Sequence, residues 1–534
     1  MGLPLNNIVK FIEIPDEVDS RWQGRVRVNL DTVGLCAYLE SDTACLQDVC
    51  EWLFSELELS FATIVVEENA SSLQLTYIFY GEPGAGQVNV LVNLPLSQTI
   101  VPSISHHVHA ADWQEREAED LFGLVFEGHP RLGDFVLHEE WPEGVNPMRK
   151  SFNAAMPYPN REPDPDWRPM ALVESQGAFM MPVGPVYSDY AESAHFLLET
   201  VGEDVIRTIL RFFYKYRGIE KISEGKTVDD VLLIAERFSG TCAFAHSLAF
   251  CQAVEEICGV EAPERAKALR ALLAELERFR HHVTAIAGIC ASTGLAVAAS
   301  QAQISEEKLL RLTCRFTGHR YLFGANTIGG LSFDLTDEEC GKISTAAWDI
   351  TDKLKELKEM LMFTSSFLDR LEQVGMVSAD NAVSYGLVGP VARASGLSRD
   401  LREIWPYAGY GNGLRFHVPR EQEGDGYARL RVLFAEAEQS VNLISQVASS
   451  LSSGPVNVDI DLKPGYALGR VEAPLGAAFH WVRLGENGEV LRYRVMTPSF
   501  VNWHGFHLAA ENFAFQDFPI IMATFGLCIA ESDR

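Results

Sequence analysis

The chain has 534 residues, 47% of them hydrophobic and 22% charged, which excludes disordered, collagenous and membrane-spanning compositions and is long enough for two to four domains. Its 44 Lys and Arg against 73 Asp and Glu leave a formal charge of −29. That excess repels phosphate backbones and anionic lipid head groups, so nucleic acid is not an expected partner and any membrane association has to come through other subunits.

The opening Met1-Gly2-Leu3-Pro4-Leu5-Asn6-Asn7 has no basic segment followed by an apolar run, so no secretory signal is expected and the chain is placed in the cytoplasm. Residues 1–140 alternate short apolar runs with turns. The segments 25–28, 72–80 and 88–94 read as strands, the last two joined by Gly81-Glu82-Pro83-Gly84-Ala85-Gly86 into an antiparallel hairpin. His106, His107 and His109 look like a metal cluster, but neighbours on a strand face opposite ways and no further ligand lies at suitable spacing, so they are read as surface histidines. Residues 141–185 carry nine prolines, which suppress regular structure and suggest an extended crossing.

From 186 to 534 the period becomes that of a helix. Glu224-Gly225-Lys226-Thr227 imitates a phosphate-binding loop, but Glu220 stands where glycine is required. One helix opens at Pro263 with Leu269, Leu272, Leu273, Leu276, Phe279, Val283 and Ile286 on one face. The uncharged stretch 283–303 is read as buried helix, not a membrane span. A second helix opens at Thr336 with Glu339 as a capping-box pair and is expected to run to Gly375. A third passes through Leu430, Phe434, Ala437, Val441, Ile444 and Leu451, and the segments 467–471 and 490–495 suggest a small sheet at the end of the bundle. The expected fold is therefore an α+β N-terminal domain followed by a mainly α-helical bundle domain with a small β-sheet.

Ala111-Asp112-Trp113-Gln114-Glu115-Arg116-Glu117-Ala118-Glu119-Asp120-Leu121-Phe122-Gly123, with Glu127-Gly128-His129-Pro130-Arg131-Leu132, resembles the signature of the small peripheral-arm (C-type) subunit of respiratory complex I. Further on, Arg217-Gly218-Ile219-Glu220-Lys221, Cys242-Ala243-Phe244-Ala245-His246-Ser247, Glu275-Leu276-Glu277-Arg278, Gly324-Ala325-Asn326-Thr327 and Gly469-Arg470-Val471-Glu472-Ala473-Pro474 resemble the large subunit of group 4 [NiFe] hydrogenases of the hydrogenase-4 and formate hydrogenlyase type. That subunit is homologous to the quinone-site (D-type) subunit of complex I. The resemblance covers nearly the whole chain and implies a complex I-like domain over 1–140, a linker over 141–185 and a hydrogenase-like domain over 186–534.

The resemblance also implies where a nickel–iron centre would sit. The family supplies four thiolates as two Cys-x-x-Cys pairs, because soft sulfur holds both metals. Here the pairs read Ser239-Gly240-Thr241-Cys242 and Cys528-Ile529-Ala530-Glu531. One thiolate of each pair is gone, Leu475 replaces the arginine that the family places over the active site, and Tyr187 stands where the family commonly has His. Ser239, Cys242, Cys528 and Glu531 are therefore vestigial ligand positions. No cofactor is expected in this chain and no nickel–iron centre; the iron–sulfur cluster is expected in a partner subunit. Cys242 and Cys528 should lie close together as buried apolar side chains, with a disulfide or another metal as the alternative.

Three titratable residues fall on family positions. Glu220 is either a buried proton relay whose pKa desolvation raises, or a charge partner of Arg217 or Lys221. His246 and His282 are either relay or head-group donors, or hydrogen-bonded core histidines. The implied function is a core subunit, peripheral on the cytoplasmic side of the inner membrane, in a redox complex with an iron–sulfur small subunit and antiporter-like membrane subunits held through other chains. Its substrate is a quinone or a small oxidised molecule. An active hydrogenase and a redox-inactive coupling subunit are the alternatives.

Overall fold

The computed structural model describes residues 5–32, 34–162, 177–186, 192–411 and 413–534, and these pack as two units. The first comprises Met1–Leu172 with Arg211–Tyr216 and Val383–Gly386; the second comprises Val173–Leu210, Arg217–Ala382 and Leu387–Arg534.

In the first unit, helix α1 (Leu5–Trp22) precedes β1 (Val26–Asp31) and β2 (Cys36–Ser41), α2 (Leu46–Glu51), β3 (Ser60–Glu68), β4 (Ser72–Tyr80) and β5 (Gln87–Pro95). The strands form one sheet in the order β1-β2-β5-β4-β3, all antiparallel except β2 beside β5. The predicted hairpin is β4–β5, closed by Gly81 N donating to Gly86 O. Next come β6 (Ile100–Pro102), α3 (Asp112–Phe122) and β7 (Val125–Glu127), with α3 ended by Gly123 in the left-handed region. Glu115 on α3 is wholly buried and accepts from Ser103 Oγ and Ile104 N; burial pushes its carboxyl up to about 8. His106, His107 and His109 are exposed, as expected.

In the second unit, β8 (Ala178–Val183), β9 (His195–Val201), β10 (Asp204–Arg211, its last residue assigned to the first unit) and β16 (Phe513–Ala514) form a sheet in the order β16-β10-β9-β8. Part of the segment expected to be irregular is therefore a strand. Its Pro182 is tolerated because β8 is an edge strand, where a missing N–H costs no ladder bond. Residues 163–176 of the predicted crossing, and Tyr187, lie outside the described residues.

The helical part runs α4 (Ile219–Ile222), α5 (Val228–Arg237), α6 (Ala243–Cys258), α7 (Glu264–Ser292) and α8 (Ala296–Thr317). The tight pair β11 (Asn326–Thr327) and β12 (Gly330–Leu331) comes before α9 (Asp337–Met362). After the short α10 (Ser365–Leu368), α11 (Ala379–Ser384), α12 (Gly389–Ala394) and α13 (Leu401–Ile404) comes the long α14 (Gly426–Ser449). The last elements are β13 (Gly465–Ala473), β14 (Gly476–Leu484), β15 (Val490–Met496), α15 (Pro498–Ala509) and α16 (Phe518–Phe525). Helix α7 packs on α8 and α14, and α6 lies on β13. The approach of α6 to β13 requires Gly469, where a Cβ would sit 1.8 Å from Ala249 O.

Three sequence expectations need correction. The uncharged stretch 283–303 is two helices, α7 and α8, broken at Gly294 with φ +81°. Helix α9 has the predicted capping box but stops at Met362 instead of running to Gly375: the backbone of Phe363 leaves helical geometry at φ −93°, ψ 2°. The small sheet has a third, central strand, β14, which is buried along almost its whole length and so lacks the alternation that marks a half-exposed strand. Among the described residues no helix is long and apolar enough to cross a membrane.

Candidate functional site

The site is built where the N-terminus of α6 meets the last eight residues of the chain. Residues 239–242 lead into α6, whose first-turn donors Phe244 N and Ala245 N are taken by the buried Glu277 of α7 at 2.8 and 3.0 Å. This fixes the loop carrying Ser239 and Cys242, because the first N–H groups of a helix have no partner within it. Burial pushes the Glu277 carboxyl up to about 7. Arg280, one turn further along α7, donates to Thr241 O at 2.6 Å.

The chain end is folded back onto this loop. Gly526, at φ +61°, ends α16. Ser499 Oγ then accepts from Cys528 N at 3.1 Å, and Thr497 Oγ1 donates to Glu531 O at 2.9 Å. The outcome is that residues 289 or more apart in sequence meet: Ser239 Oγ lies 3.8 Å from Cys528 Sγ and donates to Glu531 Oε1 at 3.2 Å. Glu531 Oε1 is also 3.4 Å from His246 Nε2, and its Oε2 accepts from Ser499 N at 3.2 Å. Burial pushes the Glu531 carboxyl up, but the hydrogen bonds from His246, Ser499 and Cys242 outweigh it and hold the group below its ordinary range. Both thiols move the other way: burial, and then the Glu531 charge, push Cys242 well up and Cys528 to about 11.

Thus Ser239, Cys242, His246, Cys528 and Glu531 share one cluster, in which Cys528 is half-buried, not buried as expected, and the other four are buried. The other two candidates do not join it. Glu220 sits in an adjoining cage, accepting from Arg492 at 2.8 Å, Arg494 at 3.2 Å and Val495 N at 3.2 Å, with Arg534 Nε 3.8 Å away. The expectation that desolvation raises its pKa is corrected here: burial does push upward, but the three guanidiniums bring the carboxyl down to about 2. Its charge partners are those arginines, and Arg217 instead donates to Phe238 O. His282 Nε2 is 3.0 Å from Glu436, which is gripped by Arg393 at 2.6 Å; burial lowers the His282 pKa. Arg393 also donates to Glu472 Oε1 at 2.8 Å, so the Glu472-Ala473-Pro474 segment is tied to this ionic cluster, and Leu475 is buried in the turn after it.

Three contributors were not legible. His480, 3.0 Å from His246, and Tyr493, 2.8 Å from His480, come from β14 and β15, and nothing in their spacing links them to α6; Glu277 belongs to a quoted motif, but its capping role depends on how α6 and α7 pack.

Profiles of known families cover most of this architecture. Residues 39–158 match the 30 Kd subunit of respiratory-chain NADH dehydrogenase, 217–290 match nickel-dependent hydrogenase, and 293–464 with 458–534 match the 49 Kd subunit of the NADH dehydrogenase. Formate hydrogenlyase subunit 5 of Escherichia coli is 32% identical over 84% of this chain and 79% of its own length. The chain belongs to the group 4 hydrogenase-like large-subunit family. Within it, hydrogenase-4 component G of Escherichia coli is 30% identical over 81% of the chain and 76% of its own length. The C/D subunit of NADH-quinone oxidoreductase from Bdellovibrio bacteriovorus is 28% identical over 72% of the chain and 69% of its own length. The α+β front followed by a helical unit with small sheets is the fold that the two NADH dehydrogenase profiles lead one to expect.

The donors at this site differ from the four thiolates that the resemblance implies for a nickel–iron centre. Such a centre needs anionic sulfur on every side. Here two of the four positions carry oxygen, and one oxygen of the Glu531 carboxylate is hydrogen-bonded to Ser239 and His246 while the other accepts from a backbone N–H. The polarity of the site is inverted: it is an anion surrounded by donors. Among the described residues no group of three or more His, Cys, Asp or Glu side chains is arranged to hold a metal ion.

Proposed function

We propose that this chain is the large core subunit of a membrane-associated redox complex that takes electrons from an iron–sulfur partner subunit and passes them to an acceptor other than protons, without hydrogenase activity. Ion movement is coupled to this step by membrane subunits, and the chain lies peripherally on the cytoplasmic face. The observation that carries the reading is the Glu531 hub, which replaces two of four soft donors by a hydroxyl and a carboxylate hydrogen-bonded to each other. A quinone or another small oxidised molecule is the acceptor class, as the C/D relatives' name, NADH-quinone oxidoreductase, suggests. A second reading, a redox-inactive coupling subunit, is favoured by the extent to which the cluster satisfies its own hydrogen bonds.

The test is to reduce the purified complex and follow reoxidation of its iron–sulfur clusters by electron paramagnetic resonance, with and without a short-chain quinone. Faster reoxidation with quinone and no dihydrogen supports the proposal. Dihydrogen formation overturns it, and reoxidation that no acceptor accelerates selects the coupling subunit.

A further inference from the structure

The chain is strongly acidic, yet one part of its second unit is basic. Residues 306–320 carry Lys308, Arg311, Arg315 and Arg320 against Glu306 and Glu307 alone, and Lys308, Arg311 and Arg315 are exposed on one face of α8. An unbroken series of contacts joins this patch to the candidate site. Glu307 holds Arg311 at 2.7 Å and Arg320 at 2.5 Å, and the Arg280 guanidinium lies 5.3 Å from the centre of the neighbouring Tyr321 ring. Arg280 in turn donates to Thr241 O, in the loop of Ser239 and Cys242. The exposed Arg237 at the end of α5 stands 5.6 Å from the Phe323 ring, on which His319 stacks at 4.4 Å.

The loop that presents these rings, residues 318–324, is shaped by its own bonds. Gly318 ends α8 at φ +81°, and Leu322 is held in the left-handed region at φ +60° with its side chain buried. His319 Nδ1 accepts from Tyr321 N at 3.1 Å and Phe323 N at 3.3 Å, and Gly324 N donates to the buried Glu236. A loop set in this way loses little freedom on binding, and Tyr and Arg are the residue types that carry much of the binding energy at interfaces. Charge then selects the occupant: an acidic surface is drawn to the patch, whereas the cytoplasmic loops of membrane subunits carry excess Lys and Arg and are repelled. Position selects it too, because the patch borders the loop of Ser239 and Cys242, beside which Cys528 is half-buried, so that an electron donor seated there lies next to the site.

We propose that Arg237, Tyr321, Phe323 and the basic face of α8 form the surface on which the iron–sulfur partner subunit docks, through a face of that partner that bears carboxylates. The proposal rests on the functional reading, which supplies the partner. Tyr321 and Phe323 are the anchors beside the site loop. Lys308, Arg311 and Arg315 form an outer basic rim that steers the encounter.

The experiment uses the assembled complex with Tyr321 replaced by the photoreactive p-benzoylphenylalanine, irradiated and analysed by mass spectrometry. Cross-links to a segment of the iron–sulfur subunit rich in Asp and Glu are expected. Cross-links to a membrane subunit, to a second copy of this chain, to a segment without carboxylates, or to nothing overturn the proposal. Salt elution of the iron–sulfur subunit from the immobilised complex is the second readout, because salt screens exposed charge pairs. With Lys308→Glu and Arg315→Glu together, which reverse two exposed charges of the rim, the partner is expected to leave at lower salt than in wild type; elution at the wild-type salt overturns the proposal. Lys353→Glu, the same change at an exposed position on α9, is expected to elute as wild type, and an equal shift there overturns the assignment to this patch. A complex with nickel, dihydrogen turnover and the expected cross-links sinks the functional reading alone. A nickel-free complex whose iron–sulfur subunit sits elsewhere on this chain sinks the docking surface alone, and a purified complex that holds no iron–sulfur subunit overturns both.

Discussion

Replacing Glu220 by Gln separates a structural ion cage from a proton relay. In the folded chain the carboxyl lies at about 2 against an ordinary 4.5, and each pH unit of that difference corresponds to about 1.4 kcal/mol, so the charge contributes about 3 kcal/mol at neutral pH. Breaking a buried pair while leaving its partners costs about 3–5 kcal/mol in the same direction, because Arg492, Arg494 and Arg534 would remain buried beside a neutral amide. A carboxyl with a depressed folded pKa stabilises fully above its unfolded value and loses that contribution as pH falls toward the folded one. The deficit of Glu220→Gln, measured by denaturant unfolding of the full chain, should therefore be constant above about pH 5 and shrink from there toward about pH 2. An unchanged stability, or a deficit that begins to change near pH 7, would refute the cage and restore a carboxyl that titrates in the working range.

Three further outcomes can be checked on single variants. Ser239→Cys should load no stoichiometric nickel and give no dihydrogen turnover, because Glu531 and Leu475 still differ from the family; metal analysis with a dihydrogen assay reads both. Gly469→Ala should be strongly destabilised or fail to accumulate, since its Cβ would fall 1.8 Å from Ala249 O on α6; a Tm equal to wild type would show that helix and strand can separate. Thr336→Ala removes the capping box of α9 and should cost about 1 kcal/mol in denaturant unfolding, whereas no measurable loss would mean the box contributes nothing.

The parts of the fold that were legible are those where one local rule decides. Thr336 with Glu339 marked the start of α9, and the alternating 72–80 and 88–94 segments around a glycine turn marked the β4–β5 hairpin. The parts that were not legible depend on tertiary packing. Strand β14 is buried on both faces, so its residues show no period of two, and α9 ends at Met362 with no Gly or Pro at its stop to mark the end in the sequence. At the site, the two motif pairs and His246 do meet, so Ser239, Cys242, His246, Cys528 and Glu531 were findable from spacing and resemblance. The same spacing says nothing about charge: the arginines that reverse the expected shift of Glu220 come from β15 and the last residue, 272 or more positions away. His480 and Tyr493 were invisible for the same reason, since only the packing of β14 and β15 against α6 brings them to His246.

The central claim is that this large subunit works without a nickel–iron centre. Elemental analysis of the assembled complex, run beside a dihydrogen uptake assay with an artificial acceptor, tests it most directly. The inverted donor set predicts nickel far below one per subunit and no uptake. About one nickel per subunit together with turnover would contradict the account.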